Sequence, residues 1–217
     1  MAMNQLAIYN TALQALGERS LDSTAENRKT RRELDKVWAS GGSAINYALE
    51  QGHWNFAKTR ASIASSSGGT ASFQYAAACP LPTDFVRLVS ISSSTDMKDP
   101  LIDYQIEGGY VQSNSTVLYI QYISDSTVYG NNMSIWPETF ARWFGHFLAT
   151  QVYPTVENPK TSIEVLQAKT DRLLVNARQK SYADGPEPFP ERKITTIDHR
   201  ALDFAVELLP FLPREQQ

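Results

Sequence analysis

The sequence predicts an α+β protein with helices at both ends and a β-rich middle. Three observations carry that expectation. Apolar residues recur three and four apart before Gly52 and again after Trp136, the period of a helix face. Between them lie short alternating runs rich in Ser, Thr, Tyr and Val, bounded by turn compositions. Those runs stand only a few residues apart, which suits antiparallel hairpins better than parallel crossovers. Residues 1–53 and 134–183 thus read as helical, 54–133 as a β-rich insert, and 184–217 as an extended C-terminal tail with a short helix.

Asn4 can cap a first helix whose stripe is Leu6, Tyr9, Leu13 and Leu16, and Gly17 is placed to end it. A second helix is expected over 25–50, capped by Ser23 or Thr24, with Leu34, Val37, Trp38, Ile45, Ala48 and Leu49 on its apolar side. Its opening turns carry Arg28, Lys29, Arg31 and Arg32. These can meet phosphates or an acidic partner, or form a solvated face neutralised by Glu26, Glu33 and Asp35, and the second reading is preferred. Gly41-Gly42 interrupts the stripe and either kinks the helix or admits another backbone.

The stretch from Leu49 to Lys58 is the hinge of the pattern. Gly52 sits where a helix stops, as a left-handed cap. Trp54 and Phe56 follow two apart, which places both on one face of a strand and pins the helices to a sheet. Candidate strands are 54–64, 71–77, 85–92, 101–106, 110–112 and 117–123, with Gly- and Ser-rich turns between them. A second junction is Cys79-Pro80-Leu81-Pro82-Thr83-Asp84-Phe85. Pro80 and Pro82 fix φ and make a rigid corner, where Asp84 can hydrogen-bond the turn.

Helices return at Trp136-Pro137-Glu138, with Pro137 as the first helical residue. Phe140, Trp143, Phe144, Phe147, Leu148 and Val152 form one wide apolar face, which Tyr153-Pro154 ends. A fourth helix is expected from Asn158-Pro159, with the seam Ile163, Leu166, Thr170, Leu173 and Ala177. A proline-rich linker then leads to a short amphipathic piece over 201–209. With Leu202, Phe204, Leu208, Leu209, Phe211 and Leu212, the tail is too apolar for a solvated terminus. It is expected to dock on its own body or on a partner, and the partner is favoured.

Chemistry is sparse. Twenty basic and 23 acidic residues give a net charge of -3, which argues against a surface devoted wholly to nucleic acid. His53, His146 and His199 show no metal-ligand spacing, and no P-loop, GxGxxG or GxSxG occurs. No catalytic, cofactor-binding or metal-binding residue is predicted, and the chain is not expected to be an enzyme. Cys79 reads as a buried corner residue, and one cysteine suits a reducing compartment. No apolar run nears the roughly 18 residues of a membrane span, and the start lacks a secretion signal. A soluble protein made in the cytoplasm, with no membrane partner, is expected.

The order of segments is more informative than any single motif. A helical hairpin leads to Trp54-Asn55-Phe56-Ala57-Lys58, and a sheet follows with the Pro80-Leu81-Pro82-Thr83-Asp84-Phe85 corner. Then come Tyr104-Gln105-Ile106-Glu107-Gly108, Leu118-Tyr119-Ile120-Gln121-Tyr122-Ile123, Trp136-Pro137-Glu138-Thr139-Phe140 and two closing helices. Over about residues 4–183 this resembles the tail adaptor family of tailed bacteriophages, known as tail tubular protein A or gatekeeper in short-tailed phages. The resemblance implies a four-helix bundle with an antiparallel sheet lobe inserted between helices two and three. It further implies a twelve-fold homo-oligomeric ring in the virion neck, between portal protein and tail nozzle. Such a ring continues the channel through which genomic DNA passes without specific binding. Leu202, Phe204, Leu208, Leu209, Phe211 and Leu212 would then dock on the portal, while Trp54, Phe56, Pro80, Pro82 and Phe85 mark the helix–sheet junction. Two alternatives remain beside it: a nucleic-acid-binding module using the basic start of helix two, and a head-completion protein of long-tailed phages.

Overall fold

A computed structural model of the chain describes residues 3–39, 44–65, 69–156 and 161–184. Among these residues the helices are α1 (Gln5–Leu16), α2 (Lys29–Ala39), α3 (Ala44–Glu50), α4 (Glu138–Val152) and α5 (Ile163–Ala183). The strands are β1 (Lys58–Ala64), β2 (Ala77–Pro80), β3 (Phe85–Ser92), β4 (Gln105–Glu107), β5 (Tyr110–Ser113) and β6 (Val117–Ser124). The fold is α+β with small antiparallel sheets, and every strand lies between α3 and α4 in the chain.

The start of the molecule follows its local signals. The Asn4 side chain accepts the Ala7 N–H at 2.9 Å and caps α1. Gly17 ends it at φ 75°, a conformation open to glycine without steric cost. The helix expected over 25–50 is corrected to two shorter ones, so among the described residues five helices stand where four are expected before the tail. Residues 23–28 are not helical because nearby groups use their backbone bonds locally. Ser23 O accepts from the Glu26 N–H, Glu26 O from the Arg28 N–H, and the Glu26 carboxylate takes the Asp22 N–H. Gly41-Gly42 lies between α2 and α3, outside the described residues. Ser162, and not Asn158, caps α5 through the Val165 N–H, while 157–160 fall outside the description. At the head of α4, Pro137 occupies the cap position just before Glu138.

The strands form two three-stranded sheets, ordered β1-β6-β3 and β2-β5-β4. β6 is central in the first and pairs along its length with both neighbours. The β4–β5 hairpin turns through Gly108 and Gly109, both at positive φ, between the paired Glu107 and Tyr110. Three strand expectations fail in part. Residues 55–57 form a 3₁₀ turn, so Trp54 and Phe56 do not share a strand face. Of 71–77 only Ala77 is in a strand, because side chains take that segment's amides: Gln112 accepts the Ser72 N–H and Asn114 the Ala76 N–H. Of 101–106 only Gln105 and Ile106 join β4.

The β1-β6-β3 sheet is a wall between two cores. Ile123, Val86 and Val89 face the helices, where Tyr9, Leu13, Leu34, Leu49, Trp54, Phe140, Trp143 and Phe144 are buried. Leu118, Ile120, Tyr122, Phe85, Leu88 and Ile91 face a second cluster that includes Cys79 and Val111 of the other sheet. Along β3 the alternation slips because its register shifts twice, between Phe85 and Arg87 and between Leu88 and Ser90. Each irregularity inserts a residue and so stretches the two-residue period to three.

Candidate functional site

Local sequence explains why the chain narrows at residues 50–55. α3 ends at Glu50 and cannot continue, because the indole of Trp54 folds back under it. The Trp54 Nε1–H donates to Ala48 O at 2.9 Å, and the ring is 1% exposed. Gly52 is needed for that fold-back and not for a left-handed cap. A Cβ there would stand 3.0 Å from Trp54 Cζ2, whereas the positive-φ glycines among the described residues are Gly17, Gly108 and Gly109.

The structure brings Trp54 and Phe56 together with the first two turns of α4. Trp54 meets Phe140 edge-on at 4.8 Å and stacks on Trp143 at 5.9 Å, while Phe56 lies 4.8 Å from Phe140. Trp136 closes the group at 4.9 Å from Phe140, with its Nε1–H bonded to Gly130 O. Hence the point where the chain leaves the helices and the point where it returns are welded by one aromatic cluster.

Pro80, Pro82 and Phe85 do not belong to that junction. Pro80 ends β2 opposite Tyr110, and Pro82 O accepts the Phe85 N–H in a turn. Phe85 stacks on Tyr122 at 5.7 Å, on the far side of the sheet. Asp84 fastens this corner to the end of β6. It accepts the Tyr122 hydroxyl at 3.0 Å and the Ser124 hydroxyl, and its carbonyl takes the Asp125 N–H. Burial, followed by this bond to Asp84, pushes the Tyr122 phenol up to about 12. Cys79 is buried in the same cluster, and burial pushes its thiol up.

A third set of contacts converges on the junction from residues remote in sequence. The Ser181 hydroxyl, in the last turn of α5, donates to His53 O at 3.1 Å and accepts the Asn55 N–H at 2.9 Å. Asn55 Nδ2 returns a bond to Ser181 O. Arg178 Nε donates to Gln51 O at 2.7 Å, and Arg87 of β3 donates to Glu50 O at 2.8 Å. Helix α3, the sheet wall and the helix preceding the C-terminal tail are thereby tied at one place. Sequence reasoning missed Ser181, Arg178 and Arg87, since no local signal links residues 126 apart. It also missed Gly130 and Gly145. A Cβ at Gly130 would lie 2.3 Å from Ser124 O, and one at Gly145 would lie 2.7 Å from Thr11 Cγ2 on α1.

The basic run is engaged within the molecule. Arg28 pairs with Glu18 at 3.1 Å and donates to Arg19 O at 2.7 Å, which ties the start of α2 to the end of α1. Arg31 pairs with Asp35 at 2.7 Å, and Asp35 in turn accepts the Tyr9 hydroxyl. Arg32 donates to Asn27. Burial and the Asp35 carboxylate hold the Tyr9 phenol well above its ordinary range.

A cleft of about 420 Å³ opens between α1, α4 and α5, with Arg142, His146 and Lys169 along it. His146 is 6% exposed, and burial with the nearby Lys169 and Arg142 cations pushes its ring down to about 4. Among the described residues no group of three or more His, Cys, Asp or Glu side chains is placed to hold a metal ion, and no helix is long and apolar enough to cross a membrane. Leu202, Phe204, Leu208, Leu209, Phe211 and Leu212 lie outside the described residues, as does His199. No protein-family model and no curated protein matches this chain.

Proposed function

We propose that this chain is a structural adaptor of a phage head-to-tail connector, a ring subunit set between portal protein and tail nozzle. One observation carries the reading. The helix that leads into the C-terminal tail is bonded, through Ser181 and Arg178, to the point where the β lobe leaves the helices. An adaptor has to pass load between a segment gripped by one ring and a lobe facing another. A three-way tie at His53-Trp54-Asn55 does so through buried aromatic packing and paired backbone groups, which resist shear better than exposed contacts. The order of segments quoted above supports the same reading. In it, α2 and α3 together serve as the second helix of a four-helix frame, and the β lobe is the insert between the second and third.

The activity is mechanical. Head-to-tail contacts between identical subunits close into a ring when the rotation fits, and twelve copies follow from the resemblance. The apolar tail would order on the portal, which delays tight binding until that ring exists. DNA slides through the channel unread, and the chain catalyses no reaction. Electron microscopy of the full chain mixed with its portal tests the proposal, with a stacked ring as the expected result. Deleting 184–217 is expected to abolish the stack, and a stack that survives the deletion refutes docking through Leu202, Phe204, Leu208, Leu209, Phe211 and Leu212. If instead the chain binds DNA in a salt-dependent way and loses that binding with R28A, K29A, R31A and R32A, the nucleic-acid reading replaces it.

A further inference from the structure

We infer that the cleft between α1, α4 and α5 is a docking site for an acidic side chain of a partner protein, whose carboxylate is held by Arg142, Lys169 and His146. This assignment stands on the cleft alone and does not depend on the adaptor reading.

Shape is the first ground. The cleft holds about 420 Å³, within the roughly 300–1,000 Å³ of small-ligand sites. A second hollow of about 270 Å³ shares Glu138, Arg142 and Leu173 with it and runs on to Thr139 and Asn176. Together they make a groove between α4 and α5 that is too long for an isolated anion. An extended segment fits it, with one charged side chain in the deeper end. Ile8, Ala141 and Leu173 give the apolar surface against which the stem of such a side chain packs.

Charge is the second ground. Arg142 and Lys169 bring two positive charges, and Glu138, paired with Arg142 at 2.8 Å, removes one. α1 contributes Thr11 and Gln14 to the lining, which carry no charge. The remainder is a single positive charge, matched by a monoanion such as a carboxylate and not by dianionic phosphate.

His146 is the third. Its Nδ1 is buried without a hydrogen-bond partner. A buried nitrogen of that kind holds a lone pair more cheaply than an unbonded N–H, so the neutral ring carries its proton on Nε2. The ring lines the cleft, and its Nε2–H is the donor that remains for an incoming oxygen. Gly145, beside it, lets Thr11 approach α4 so closely that the ring is seated against α1.

The test uses the full chain and three probes: acetyl-Leu-Glu-Leu-amide, its Gln counterpart, and inorganic phosphate. The His146 ring is followed by NMR and assigned by its loss in H146Q. In the free protein, burial and the Lys169 and Arg142 cations push its midpoint down to about 4. A carboxylate placed among Arg142, Lys169 and the ring offsets their repulsion, so the Glu peptide is expected to raise that midpoint by about one unit, a tenfold gain in proton affinity. The Gln peptide is expected to leave it unchanged. K169Q, at an exposed position, is expected to weaken the Glu peptide about fivefold with the melting temperature preserved. Three results overturn the proposal: no shift at about 10 mM Glu peptide, above the ~1 mM of a weak contact; equal binding of the Glu and Gln peptides; or, at about pH 8 where phosphate is mainly the dianion, phosphate that matches the Glu peptide in affinity.

Discussion

Replacing Trp54 by alanine tests whether the junction holds the two halves of the fold together. The indole is 1% exposed and is packed by Phe56, Phe140 and Trp143. Truncating such a ring costs about 3–5 kcal/mol in lost burial and cavity. It also strands Ala48 O, which the indole N–H bonds at 2.9 Å, for about 1 kcal/mol more. Against a total stability of ~5–15 kcal/mol, W54A therefore removes a large share. W54F keeps a ring in place and is expected to cost about 2 kcal/mol, mainly the hydrogen bond and part of the void. Urea denaturation followed by far-ultraviolet circular dichroism gives these values, with F73A as control at a fully exposed ring, where less than ~0.5 kcal/mol is expected. Hydrogen exchange adds the spatial test: in W54A the amides of β1 and of α4 should both open sooner. A W54A cost under ~1 kcal/mol, or faster exchange on one side alone, refutes the idea of a shared pin.

Three other outcomes follow from the same contacts. His146 has its ring pKa lowered from 6.5 to about 4, so its neutral form stabilises the fold above pH 6.5 and that stability is lost as pH falls toward 4. Between pH 7 and 5 the wild type should lose about 2 kcal/mol more than H146Q in paired urea titrations. D84N keeps one oxygen to accept from either Tyr122 or Ser124 and sets an amide N–H against the other hydroxyl, which should cost about 1–3 kcal/mol. Its tyrosinate titration should also begin at lower pH, because Tyr122 is held up to about 12 by burial and then by Asp84. G130A puts a methyl 2.3 Å from Ser124 O and 2.6 Å from Leu49 Cδ1, a clash with backbone that should cost about 3 kcal/mol. G145A meets Thr11 Cγ2 at 2.7 Å but gains about 1 kcal/mol of helix propensity, so its net cost should be smaller, and thermal melts of the pair check the order.

The electrostatics of α2 bear on how charge runs are read. Arg28 and Arg31 make contacts that also serve the fold, joining α2 to α1 through Glu18, Arg19 O, Asp35 and Tyr9. Their carboxylate partners at Glu18, Glu26 and Asp35 are all close in sequence. Such pairs are part-solvated and individually contribute little to stability.

By itself the sequence determined the helix period of α1, α4 and α5, the Asn4 and Gly17 caps, the strands β3, β5 and β6, and the Gly108-Gly109 hairpin. Each of these is set by neighbours within about four residues, the reach of a helical turn or a tight turn. It also marked Trp54 and Phe56 as a pin between helices and sheet, and both pack on the helical core, Trp54 buried and Phe56 half-buried. Only the tertiary structure decided that residues 55–57 turn instead of extending, because the indole must reach back to Ala48. It alone put Phe85 in a different cluster from Trp54, through register shifts in β3 that pairing with β6 imposes. The same holds for the tie from Ser181 to His53 and Asn55, and for the cleft of Arg142, His146 and Lys169. These are meetings of residues on different elements, and which of them meet is fixed when the cores close, not by the periodicity of any one segment.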